Sequence, residues 1–284
     1  MLLSIVIPLY NKADTIRSTI ESILSQNAMD YEIIVVDDGS TDNGVDIVRS
    51  IDSEKINLYQ KENTGFSATR NYGVKKAKGN WVLFLDADDR LLPDALEVIY
   101  KFIKKKKQID IFTFGFYVEQ NGQLRIDGHV KTNGRIHFPF ISFYYGKIFP
   151  RTGNTVCKRS IYLEEPYDET LRRYEDYEHD LRLMAKYRYY ASKKPIFIYN
   201  NNSLAASYRR ENYKEDYCCV MKPKGKPILQ QLLMYKLYKN ETCVNYPELA
   251  SELYKNEFDM KRIKRWDRML HRCKQIRHSV LRVF

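Results

Sequence analysis

The strongest constraint in this sequence is a series of short β-branched runs, each ending in a polar or acidic cluster and followed by helical periodicity. Leu3 to Leu9 is a continuous run of the kind expected for a strand covered on both faces. Asp14 then caps a helix whose Ile16, Ile20, Ile23 and Leu24 follow helical spacing. Glu32 to Val36 predicts a second buried strand that ends at Asp37-Asp38-Gly39-Ser40, with a short helix through Val45, Ile47 and Val48 behind it. Ile56 to Tyr59 predicts a third strand and Phe66 to Ala77 a helix. Trp81 to Leu85 predicts a strand that stops at Asp86-Ala87-Asp88-Asp89. Pro93 opens a further helix with Leu96, Ile99 and Ile103 inward.

Strands alternating with helices over the first 100 residues predict an α/β fold: a doubly wound, mostly parallel sheet with flanking helices. Such sheets bind ligands beyond the carboxyl ends of their strands, where the polar clusters of this chain fall. After Ile111 to Val118 the pattern loosens. Asn121-Gly122 marks a turn, and Gly128 to Thr155 is aromatic and irregular. Asp180 to Tyr187 reads as helical and Pro195 to Tyr199 as a last strand. From about Tyr208 the composition shifts to Lys, Tyr and Leu with helical periodicity, which sets a soft boundary there.

Composition narrows the function classes. The 284 residues are 44% hydrophobic, which excludes a disordered polar chain. The net charge of +11 first suggests nucleic acid or an anionic membrane. Its distribution argues against nucleic acid, because residues 1–100 hold 10 basic and 16 acidic side chains. The segment from Lys261 to Phe284, by contrast, carries nine Lys/Arg and one acid, Asp267. Five cysteines without C-x-x-C spacing predict a reducing compartment and no structural zinc. The apolar start, Met1 to Tyr10, lacks a basic leader pattern, and no other apolar run reaches the roughly 20 residues that span a bilayer. The expectation is a protein that is cytoplasmic, or peripheral on the cytoplasmic face of a membrane.

Three clusters carry chemistry. In an extended segment the side chains of Asp86 and Asp88 point the same way, so both carboxylates can face one cation. Their oxygens suit Mn2+ or Mg2+, ions that commonly bridge to phosphates. Taken alone, the cluster reads more readily as an acidic cap before Pro93; its position directly after a buried strand favours the cation instead. The turn Asp37 to Asp42 can accept hydrogen bonds from a ribose or a base imide, although Ser40 and Thr41 also suit helix capping. Asn63-Thr64-Gly65-Phe66-Ser67-Ala68-Thr69-Arg70-Asn71 places a glycine and a cation where the chain turns into a helix, a phosphate-facing geometry.

Together, Ser4 to Asn11, the Asp37-Asp38 turn, Gly65 to Asn71 and Phe84 to Asp89 resemble the family 2 glycosyltransferases of the GT-A fold. The resemblance extends more weakly through Tyr167-Asp168-Glu169 and Glu175-Asp176-Tyr177 to about residue 205. It implies a catalytic domain over 1–207, with a nucleotide-sugar half at 1–100, an acceptor half at 101–207, and a helical, basic C-terminal extension at 208–284. It also implies residue roles. Tyr10 and Asp38 would hold the nucleobase, with Pro8 shaping the strand end. Asn11, Asn63 and Gly65 would complete the nucleotide-sugar site, and Arg70 would lie near the diphosphate. Asp86 and Asp88 would form the D-x-D on a divalent cation, with Asp88 the more direct ligand. Asp176 would be the general base and Glu175 would help orient the acceptor, with Glu178 and Asp180 the nearest rivals in a charge-dense run that otherwise reads as a solvated helix start.

The implied reaction transfers a sugar with inversion from a nucleotide-diphosphate sugar, a UDP-sugar in the first instance. The acceptor would be a hydroxyl of a glycan or lipid-linked glycan, in cell-surface polysaccharide synthesis. The chain departs from the family pattern at Asn200-Asn201-Asn202, where a basic residue is common; Arg209 and Arg210 are candidate substitutes. Two other classes share part of this pattern. A sugar nucleotidyltransferase would open on a Gly-rich basic loop that this chain lacks, and a catalytically inactive nucleotide-sugar binder would keep the same motifs. At the end of the chain, Trp266, Leu270, Cys273 and Ile276 fall near one helical face among Lys264, Arg265, Arg268, Arg272 and Arg277. That pattern suits docking on an anionic membrane surface through 261–284, or packing against the rest of the protein.

Overall fold

The structure is a computed structural model that describes residues 2–27, 30–126, 130–201, 215–243, 250 and 257–280, with the backbone alone at 241 and 273–280. The chain divides into two compact units, Met1–Arg209 and Arg210–Phe284.

The first unit is built around β1 (Leu3–Leu9), every residue of which is buried. It lies between β2 (Tyr31–Asp37) and β4 (Trp81–Phe84), parallel to both, and β3 (Ile56–Gln60) extends the sheet beyond β2. Alternation assigns the two faces. Leu3, Ile5, Ile7 and Leu9 pack with Ile16, Ile20 and Ile23 of α1 (Ala13–Leu24) and with Val45 and Val48 of α2 (Gly44–Arg49). On the other face α3 (Phe66–Lys76) approaches so closely that a Cβ on Gly73 would lie 2.3 Å from Val6 Cγ1. Burial of each large aliphatic side chain in this core contributes about 1.5–3 kcal/mol.

The central strands are parallel as expected, and antiparallel pairings enter with the second half. The sheet order is β3-β2-β1-β4-β9-β6-β10-β5, with β7 beside β6 and β8 beside β10. The added elements are β5 (Arg90–Leu91), α4 (Ala95–Lys105), β6 (Ile111–Gln120), β7 (Gln123–Ile126), β8 (Gly134–Ile136) and α5 (Pro139–Tyr144). They continue with β9 (Thr155–Lys158), α6 (Arg159–Glu164), α7 (Glu175–Lys186) and β10 (Tyr189–Asn200). The aromatic region expected to be irregular thus contains β8 and α5.

Three local expectations are corrected. The helix expected from Asp180 begins at Glu175, because Glu175, Asp176 and Glu178 form its first turn, where acidic side chains favour the helix N-terminus. Asp14 does not cap α1. Ala13 N–H is satisfied at 2.8 Å by Asp42 Oδ2, a carboxylate from another loop. The last strand spans Tyr189–Asn200 rather than five residues, its pairing with β6 interrupted by irregularities between Ser192 and Phe197.

The second unit contains α8 (Tyr217–Val220), α9 (Ile228–Leu237), which runs on into a π-helical turn at Tyr238–Thr242, and α10 (Met260–Val280). Ile263 and Leu270 of α10 are buried and α10 packs on α9 within this unit. Lys261, Arg262, Lys264, Arg265, Arg268 and Arg272 are exposed. Among the described residues, no helix is long and apolar enough to cross a membrane.

Candidate active site

The carboxyl ends of β1, β2 and β4 carry three loops that are knitted together by polar side chains. At the end of β1, Asn11 takes a left-handed φ of 50°. Its N–H donates to Ser40 Oγ at 3.0 Å, and its Oδ1 accepts from Thr41 N–H at 2.8 Å. Pro8 is buried in β1 opposite Val36, and Tyr10 is half-buried at the loop start. Asp38 is buried, and both its oxygens are engaged within the protein. Oδ1 accepts from Thr64 N–H and Oδ2 from Gly65 N–H, each at 2.9 Å, and Lys61 Nζ also donates to Oδ1. Asp38 therefore holds the third loop, including Asn63 and Gly65, against the second.

Gly65 sits at the start of α3 with φ 91°. A Cβ there would fall 1.9 Å from Arg172 Nη1, so a glycine is what lets Arg172 lie over this turn. One turn into the helix, Arg70 is buried and bridges two carboxylates. Its Nη1 donates to Glu175 Oε1 at 2.9 Å, and its Nη2 lies 3.5 Å from Asp86 Oδ1. Its guanidinium also lies over the Tyr167 ring, 5.4 Å from the centroid. Against the desolvation that would lower it, Asp86 and Glu175 hold Arg70 protonated above the ordinary range. Arg70 was expected near a diphosphate. Here it joins the D-x-D turn to the Glu175-Asp176 helix start.

In the D-x-D turn, Asp86 Oδ2 accepts from Thr152 Oγ1 at 2.9 Å, and Asp88 Oδ2 pairs with Lys12 Nζ at 2.6 Å. Asp89 is buried, with Oδ1 accepting from Asn200 N–H at 2.9 Å and Oδ2 unpartnered. Burial, then the Asp86 charge, pushes its carboxyl well above the usual range. The antiparallel pairing of β5 with β10, Phe197 opposite Leu91, brings Asn200 to this turn. Asn201 N–H donates to the Glu119 carbonyl at 2.9 Å. Asn202, Arg209 and Arg210 lie outside the described residues.

Among the described residues, no group of three or more His, Cys, Asp or Glu could hold a metal ion by itself. The segment expected to be extended is a turn, closed by Asp89 N–H donating to the Asp86 carbonyl at 3.0 Å, so strand alternation does not aim Asp86 and Asp88 the same way. Their fit to a cation rests on donor chemistry: two hard carboxylates are what Mg2+ or Mn2+ uses when substrate phosphates complete its shell.

Asp176 is half-buried in the first turn of α7, after Tyr174 at a left-handed φ of 58°. A bulky residue in that region is a strained start to a helix. Asp176 lines a cavity of about 10 Å³, near the size of one water, together with Thr152, Tyr167, His179 and Asp180. Through Thr152 this cavity adjoins Asp86. Glu175, beside it, is raised by burial and by Asp176, and Arg70 opposes that rise. Asp180 is raised well above its usual range by burial and by Asp176 and Glu178. Glu178 is engaged elsewhere, by Arg182 at 2.7 Å.

Several residues went unrecognised in the sequence. Thr15 and Thr19 donate to the Ala87 carbonyl at 2.8 and 3.0 Å, Ser22 Oγ accepts Leu91 N–H at 3.0 Å, and Gln26 Nε2 donates to the Leu92 carbonyl at 2.8 Å. With Lys12 on Asp88, one polar stripe along α1 and its two ends grips residues 87–92, the second acid of the D-x-D and the chain that follows it. The signal was present as polar residues at 12, 15, 19, 22 and 26, a helical spacing beside the apolar face.

Residues 4–171 match the family model described as glycosyl transferase family 2. The chondroitin synthase of Pasteurella multocida is 35% identical over 131 residues, covering 45% of this chain and 14% of that protein. Glycosyltransferase GlyA of Streptococcus pneumoniae is 36% identical over 117 residues, covering 40% of this chain and 17% of that protein. The chain thus matches less than a fifth of the length of either relative. Among solved structures, S. aureus TarS in complex with UDP superposes with a TM-score of 0.67 at 19% identity, over 94% of this chain and 78% of that one. The UDP-GlcNAc complex of TarS gives 0.65 at 20% identity, over 84% of this chain and 67% of that one. The motifs, the sheet order and a family match over more than half of the residues agree: this chain belongs to glycosyl transferase family 2.

Proposed function

We propose that this protein transfers a sugar, with inversion, from a nucleotide-diphosphate sugar to a hydroxyl of a glycan or lipid-linked glycan. The observation that carries the reading is Arg70, whose contacts to Asp86 and Glu175 bring the D-x-D turn and the Glu175-Asp176 helix start together. A UDP-sugar is the donor best supported, since TarS is solved with UDP and UDP-GlcNAc. Relatives named chondroitin synthase and hyaluronan synthase support a role in cell-surface polysaccharide synthesis.

In this reading Pro8, Tyr10, Asn11 and Asn63 line the nucleotide site, and Asp38 shapes it by holding Thr64 and Gly65. Asp86 and Asp88 would hold Mn2+ or Mg2+, which when bound would supply positive charge to stabilise the departing diphosphate. Asp176 accepts the proton of the acceptor hydroxyl from the face opposite the leaving group, giving a single displacement. Glu175 keeps Asp176 placed through its pair with Arg70. The exposed basic face of α10 docks the enzyme electrostatically on an anionic cytoplasmic membrane surface, without inserting Ile263 and Leu270, which are buried.

The test is incubation with a panel of nucleotide sugars and Mn2+ or Mg2+, reading nucleotide release and donor binding for wild type and Asp88→Ala. Metal-dependent binding and release of one nucleotide, lost in the variant, is expected. If no nucleotide sugar is bound or hydrolysed, the reading is wrong.

A further inference from the structure

Asp88, the D-x-D carboxylate expected to meet a cation most directly, is already paired. Lys12 Nζ lies 2.6 Å from its Oδ2, and the two side chains are 28% and 12% exposed. The pair is held between two anchored segments. On one side, the left-handed Asn11 and its hydrogen bonds to Ser40 and Thr41 fix the entry to α1. On the other, Thr15 and Thr19 clamp the Ala87 carbonyl between the two acids. Backbone movement is therefore not needed to make or break the contact; only the Lys12 side chain has to swing, and it is the more exposed partner.

We propose that Lys12 is a built-in counter-ion for Asp88, occupying the carboxylate until a divalent cation takes its place and thereby setting the affinity for that cation. The inference rests on the reading of Asp86 and Asp88 as the cation site. Lys12 on Oδ2 and a divalent ion on the same carboxylate repel each other, so the Lys12 contact weakens the hold of Asp88 on the ion and its departure favours binding. A site that is free only part of the time shows an affinity reduced by that fraction. If Lys12 occupies Asp88 in about nine molecules of ten, the apparent affinity falls about tenfold.

The experiment is a titration of the protein with Mn2+ at a fixed, saturating concentration of UDP, reading protein-bound Mn2+ by electron paramagnetic resonance against a control of UDP without protein. Wild type, Lys12→Met, Lys12→Gln, Lys12→Arg and Asp88→Asn are compared, with thermal unfolding confirming that each is folded. The expected result is Mn2+ binding about tenfold tighter in Lys12→Met and Lys12→Gln, unchanged within about twofold in Lys12→Arg, and lost in Asp88→Asn. If Asp88→Asn abolishes binding while both neutral Lys12 variants match wild type or bind more weakly, Lys12 is only a structural clamp and the inference falls alone. If Asp88→Asn binds Mn2+ like wild type, the cation-site reading falls and takes the inference with it.

Discussion

Arg70 Nη1 donates to Glu175 Oε1 at 2.9 Å across 105 residues of chain. The Arg70 side chain is buried and the Glu175 side chain 12% exposed, and the second guanidinium nitrogen faces Asp86 at 3.5 Å. Removing one partner of a buried pair leaves an uncompensated charge, which costs about 3–5 kcal/mol. Arg70→Met should therefore lower stability by about 3–5 kcal/mol in urea unfolding, and Arg70→Lys by less. A loss below about 1 kcal/mol would show that the bridge is not structural.

Asp176 shares its cavity with Thr152, which hydrogen-bonds Asp86. As the proposed base, it should be needed for proton transfer and not for donor binding. Asp176→Asn should reduce kcat by about 10²–10⁴-fold while donor affinity, read by calorimetry, stays within about twofold. Full transfer activity in Asp176→Asn would remove it from the chemistry and leave Asp180 as the alternative.

At Gly65, φ is 91° and a Cβ would meet the Arg172 guanidinium at 1.9 Å. The guanidinium is flexible and can yield, but the backbone cannot relax without loosening the N–H that Asp38 holds. Gly65→Ala should cost about 1–3 kcal/mol in denaturant unfolding and raise KM for the donor. An unchanged midpoint and KM would contradict this account.

His179 is buried, and burial pushes its pKa down to about 3 from an ordinary 6.5. Its Nε2 meets the Glu165 carbonyl at 2.8 Å and its ring stacks on Tyr167, with centroids 4.0 Å apart. Because its folded pKa lies below its unfolded one, the unfolded chain binds more protons between these two values. The stabilisation is complete above about pH 6.5 and is lost as pH falls toward 3, at up to about 1.4 kcal/mol per pH unit. The buried acids Glu175 and Asp180 are raised and act in the opposite sense, so the comparison must be with a variant. The stability difference between wild type and His179→Gln should shrink from about pH 6 to pH 4. A difference independent of pH would mean that His179 does not titrate in this way.

The exposed basic residues of α10 should bind anionic vesicles by charge alone. Replacing Lys264, Arg265, Arg268 and Arg272 with Gln should cost about 1 kcal/mol per residue in vesicle co-sedimentation. Binding by wild type should disappear between about 0.05 M and 0.5 M salt. Equal binding of the two proteins would dispose of this docking face.

The legible part of the site was its location. Asp38, Gly65, Asp86 and Asp88 all follow strands or open helices whose periodicity is local, and a doubly wound sheet puts such turns at one edge. Less legible was the start of α7. A run of charged residues reads as a solvated helix end until the left-handed Tyr174 and the buried Arg70 are seen to hold its first turn. The polar stripe on α1 was also missed, since hydroxyls at helical spacing signal nothing until their acceptor, the Ala87 carbonyl, is known.

Local sequence thus specified which residues become strands, which turns are acidic, and which family the chain resembles, because hydrophobic period and turn chemistry act over a few neighbouring residues. The pairing of charges was decided by the tertiary structure alone. Lys12 meets Asp88 across 76 residues and Arg70 meets Glu175 across 105, distances over which no periodicity reports. The same is true of α10, where packing on α9 buries Ile263 and Leu270, leaves Trp266 half-buried and keeps Met269 and the basic residues outside, while the side chains of Cys273, Ile276 and Arg277 lie outside the described residues. Which partner satisfies a buried charge depends on sheet register and helix docking, and those are settled only when the whole core closes.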